Sequence, residues 1–60
     1  MKKYIALKTI FFMKLISKNL TSSLKPETTF FLDEALEYTE ENLKIVNSLW
    51  PTSKFAIVEY

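Results

Sequence analysis

The stretch KYIALKTIFFMKLIS, residues 3–17, decides the fold. Read at period two, its odd positions include Ile5, Leu7, Thr9, Phe11, Met13 and Leu15, nearly all apolar. Its even positions mix Tyr4, Ala6, Ile10, Phe12 and Ile16 with Lys8 and Lys14. That is the alternation of a half-buried strand, or of two strands joined by a tight turn near Lys8 and Thr9. Read at 100° per residue, Ile5, Ala6, Phe12, Met13 and Ile16 cluster. Tyr4, Leu7, Phe11 and Leu15 then form a second apolar stripe with lysines between, so the strand pattern is the cleaner one. It predicts a small α+β fold. An antiparallel sheet, made of an N-terminal strand or hairpin plus a C-terminal strand, packs on one amphipathic helix. The helical reading of the same stretch predicts an all-α hairpin instead, pairing into a four-helix bundle.

The helix comes from the second half. Ala35, Leu36, Tyr38, Leu43, Ile45, Val46, Leu49 and Trp50 fall in one half-circle at helical spacing. Asp33, Glu34, Glu37, Glu40, Glu41, Lys44, Asn47 and Ser48 fill the other. Early acids suit the positive end of the helix dipole, and Pro51 disfavours a helical Trp50. The spacing therefore predicts a helix over about 32–49. Residues 54–60, rich in aromatic and β-branched side chains after a Pro-Thr-Ser turn, read as a strand. Residues 18–28, with Asn19, Ser22, Ser23 and Pro26, read as a loop. The whole of 1–60 is expected to be one small domain.

Composition narrows the chemistry. The chain has 60 residues and no Cys, His or Gly. Without Cys there are no disulfides or thiolate sites; without His the commonest zinc ligand and neutral-pH base are missing. Without Gly there is no phosphate-cradling loop of the P-loop or dinucleotide type. A domain this small buries only about 60% of its unfolded surface and is marginal alone. Association with a second copy or another protein is the stabilising device that remains. A reducing, cytoplasmic setting fits the absence of Cys. Lys8 and Lys14 interrupt the apolar N-terminal run, so no signal or membrane-spanning segment is expected, and no membrane partner.

The net charge of +1 conceals an asymmetry. Residues 1–26 carry six lysines and no acid, +6. Residues 27–60 carry two lysines against seven acids, −5. The chain is polarised along its length.

Two segments carry a family resemblance: Thr29-Phe30-Phe31-Leu32-Asp33-Glu34-Ala35-Leu36-Glu37-Tyr38, and Phe55-Ala56-Ile57-Val58-Glu59-Tyr60. Together with the Met-Lys-rich start, they resemble a pattern of short bacteriophage and mobile-element proteins with a β-β-α-β plan. Such chains share a Phe-x-x-x-Glu-Ala helix start and an Ile-Val-Glu closing strand. The resemblance covers about half the chain. It differs in lacking a glycine in the first hairpin. It implies an accessory protein that binds and modulates a host macromolecule, and it carries over no catalytic residue.

Against that background no catalytic, cofactor or metal site is expected, and the chain is read as a non-enzyme. Three surfaces are candidates for binding. The first is an open sheet edge that pairs with another chain. The second is an acidic helix face, Asp33, Glu34, Glu37, Glu40 and Glu41, for docking a basic protein surface. The third, an alternative, is nucleic-acid contact through Lys8, Lys14 and Lys18, with Phe11 and Phe12 as stacking platforms. The function expected is an accessory or inhibitor protein acting by protein contact, as a homodimer or a subunit of a larger complex.

Overall fold

The computed structural model describes residues 1–20 and 23–60. The chain is α+β, with a four-stranded antiparallel sheet and one α-helix. The strands are β1 (Lys3–Lys8), β2 (Met13–Ile16), β3 (Thr28–Thr29) and β4 (Phe55–Glu59). Their order across the sheet is β3-β2-β1-β4. The helix, α1, spans Glu40–Leu49.

Residues 3–17 fold as a hairpin. Lys8 pairs with Met13, and Thr9 to Phe12 make the loop. The Thr9 amide donates to the Phe12 carbonyl at 2.9 Å, and the Phe12 amide donates to Thr9 Oγ1 at 3.1 Å. Among the described residues none has positive φ, so the turn needs no glycine. The threonine hydroxyl holds it closed instead.

The side-chain alternation builds the core. Ile5 and Ile16, both fully buried, lie on the sheet face that carries the helix. Val46 and Trp50 pack onto them from α1 and its C-cap, with Leu7, Leu43, Leu49 and Phe55 around the margin. The indole N–H of Trp50 donates to the Ser23 carbonyl at 2.7 Å, which satisfies a buried donor and pins the loop before β3. The molecule measures 29 × 27 × 16 Å, thin enough for one sheet and one helix layer.

The helix is shorter than its periodicity predicts: it runs over Glu40–Leu49, not 32–49. Residues Leu32–Glu34 form a 3₁₀ turn, and Ala35 to Tyr38 are extended. The cause is tertiary. Beyond the Ala6–Leu15 pair, β1 and β2 part, and Leu36 enters the gap. The Ile5 amide donates to the Leu36 carbonyl at 3.1 Å, and the Leu36 amide donates to the Ile16 carbonyl at 2.8 Å. Tyr4 bridges Glu37 and Ser17 bridges Ala35. Buried backbone pairing and burial of Ala35 and Leu36 outweigh a helix preference worth only tenths of a kcal/mol per residue. Thr39 then caps the helix, its Oγ1 accepting from the Asn42 amide at 3.0 Å.

Candidate functional site

The five acids expected on one helix face do not share one. Asp33 and Glu34 lie in the 3₁₀ turn, Glu37 in the extended insert, and Glu40 and Glu41 in the first turn of α1. All five are exposed. Glu37 is engaged by Lys2, Oε1 to Nζ 3.3 Å, and Glu34 accepts from Thr29 Oγ1 at 3.2 Å. Once residues 35–38 are pulled into the sheet, no single helical face holds the five acids, because only Glu40 and Glu41 lie in α1. Among the described residues no group of three or more acids is arranged to hold a metal ion.

The three candidate lysines separate as well. Lys18 is tied to the opposite end of β2, its Nζ donating to the Asp33 carbonyl at 3.0 Å. Lys8 and Lys14 stay near the hairpin turn. Lys14 Nζ lies 4.9 Å from the Phe12 ring centroid and 5.6 Å from that of Phe30. Those distances are cation–π contacts, and they bring the β3 exit beside the hairpin loop. The loop itself is apolar and open: Ile10 is 93% exposed and Phe11 88%, and Phe30 is 84% exposed. Phe12 and Met13 are also exposed.

Beside this tip lies an open depression of about 520 Å³ between residues 7–10 and the 52–54 turn. Its polar lining is Lys8, Lys54, Thr9, Thr52 and Ser53. The lining thus combines two cations with three hydroxyls.

The third surface is the outer edge of β4. Lys2 and Tyr60 exchange both backbone hydrogen bonds at 2.9 Å, and the Lys8 amide donates to the Lys54 carbonyl at 2.9 Å. In an antiparallel ladder the inward-bonding residues alternate. Tyr60, Val58, Ala56 and Lys54 therefore face β1, while Phe55, Ile57 and Glu59 turn their N–H and C=O groups outward. Among the described residues β4 pairs only with β1. Sequence reading foresaw an open edge but not which backbone groups it offers. It missed Lys54 and Phe30 as partners of the hairpin tip, because they are distant along the chain.

Comparison with protein-family models, curated proteins and solved structures returned no match.

Proposed function

We propose that this chain is a non-enzymatic binding protein that acts by strand addition at the β4 edge, with a second copy of itself as the occupant of that edge. The observation that carries the reading is the row of outward N–H and C=O groups at Phe55, Ile57 and Glu59. Natural sheets usually blunt such an edge with Pro, lysine or a bulge. The segment Phe-Ala-Ile-Val-Glu has none of these within it. The opposite edge, β3, is only two residues long and offers little to pair with. Antiparallel self-pairing about Ile57 sets Ile57 against Ile57 and Phe55 against Glu59, so the same backbone groups serve both copies. The dimer buries a half-exposed Ile57 and relieves the marginal size of the domain. An accessory or inhibitory role by contact fits such a small assembly.

Light scattering across a concentration series tests this, with the variant Ile57→Pro as control. Proline at Ile57 removes an outward donor and leaves the β1 ladder bonds in place, and edge strands tolerate it. The wild type is expected to dimerise and the folded variant to stay monomeric. A wild type that is monomeric at every concentration overturns the reading.

A second reading has one observation in its favour. Lys14 set between two exposed phenylalanines is a cation with stacking rings, the pairing used on single-stranded nucleic acid. Its signature is affinity that falls with salt, with a log–log slope near −0.7 per neutralised phosphate. Absence of a gel shift at low salt excludes it.

A further inference from the structure

The hairpin end of the molecule is apolar and exposed. Ile10, Phe11, Phe12 and Met13 project from the turn, and Phe30 joins them through Lys14. A contiguous exposed apolar cluster of this kind marks a docking surface. Three cations surround it: Lys14 between the rings, and Lys8 and Lys54 beside Ile10 in the open depression. Lys8 and Lys54 are backbone partners across β1 and β4, so their side chains leave the same face of the sheet next to each other. Among the described residues no carboxylate lies within ion-pair distance of any of the three; the ion pair present is Lys2–Glu37. Thr52 and Ser53 add hydroxyls to the same depression.

Three kinds of surface could cover such a cluster, and the chemistry discriminates. Protein interface cores are enriched in Phe and Met, as this cluster is, but depleted in lysine; here every charged member is a lysine. Stacking on bases uses Phe12 and Phe30 but leaves the aliphatic Ile10 and Met13 without a role. A lipid surface uses every member. Aliphatic and phenyl groups enter the acyl boundary, while lysines keep their charge at headgroup level. Paired lysines with neighbouring hydroxyls suit a phosphate oxygen.

We propose that the hairpin tip docks on an anionic phospholipid surface, with Ile10 and Phe11 inserted and Lys8, Lys54 and Lys14 holding headgroup phosphates. The contact is interfacial and does not span; no helix among the described residues is long and apolar enough to cross a membrane.

Flotation with phosphatidylcholine vesicles, with and without phosphatidylserine, tests this. The wild type is expected to float with the phosphatidylserine vesicles only, and to be released as salt screens the lysines. The double variant Ile10→Ser/Phe11→Ser, altered only at exposed loop positions, is expected to lose binding while its far-UV circular dichroism is unchanged. Lys8→Gln/Lys54→Gln is expected to weaken binding about fivefold per charge removed. The proposal is overturned by equal flotation with neutral vesicles, by no flotation at all, or by variants that bind like the wild type. Displacement from vesicles by inorganic phosphate would make the depression a free-anion site and equally overturn it. So would binding to a single-stranded oligonucleotide, or a dimer that the loop variant dissolves, in a protein that ignores vesicles.

Discussion

Leu36 occupies the gap between Ile5 and Ile16, and its backbone closes the hydrogen bonds those two residues would otherwise make to each other. Its side chain joins the core that Val46 and Trp50 complete. Leu36→Ala removes both transfer energy and packing, and is expected to cost about 2–5 kcal/mol, read by urea denaturation. In a domain this small that is enough to unfold much of the population. Thr39 marks the true start of the helix. Thr39→Ala leaves the Asn42 amide without its side-chain acceptor and is expected to cost about 1 kcal/mol in the same experiment. An unchanged midpoint for Thr39→Ala would mean that the helix starts elsewhere. The cap was legible, since Thr39 precedes two glutamates and Asn42. It was masked because Ala35, Leu36 and Tyr38 continue the helical stripe while being buried for another reason. Periodicity reports burial on one side, and an extended insert that buries Leu36 between strands satisfies the same pattern.

At the level of elements, the alternation in residues 3–17 carried the fold. Ile5, Leu7 and Ile16 face the helix, and Tyr4, Ala6 and Leu15 lie on the opposite face, as a period of two requires. The missing glycine did not forbid the hairpin, because four loop residues and the Thr9 hydroxyl make the turn without positive φ. What no local pattern shows is the parting of β1 and β2, since it depends on a segment roughly twenty residues further on. The same long-range pairing decides which side of β4 is free. Proline therefore discriminates neighbouring positions. Ala56→Pro removes an amide that faces β1 and is expected to destabilise the fold by roughly 3 kcal/mol, whereas Ile57→Pro is expected to cost much less. Thermal melts of the two variants read the difference. Equal losses would show that the ladder is set in the other parity.

Charge is reorganised at the level of the whole molecule. Along the chain the basic and acidic halves are separate; in the fold they interleave at one end. Lys3 stands opposite Glu59 in the β1–β4 register, and Lys2 forms an ion pair with Glu37. Both members of the Lys2–Glu37 pair are exposed, so the pair adds at most about 1 kcal/mol. Glu37→Gln is accordingly expected to shift the unfolding midpoint little. The hairpin end, with Lys8, Lys14 and Lys54, keeps its positive charge uncompensated beside an apolar tip. The order of the lysines along the chain does not show this: Lys8 and Lys14 lie at the hairpin end, while the Asp33 carbonyl holds Lys18. A short interfacial tip leaves no long apolar run in the sequence, so it lacks the pattern that marks a membrane span. Residue-resolved amide hydrogen exchange over a dilution series tests the central claim, association through the outer edge of β4, most directly. The amides of Phe55, Ile57 and Glu59 are predicted to exchange fast in dilute protein and to become protected together as concentration rises, while those of Ala56 and Val58 stay protected throughout. Outward amides that exchange fast at every concentration, in a protein that light scattering shows to be dimeric, would contradict it.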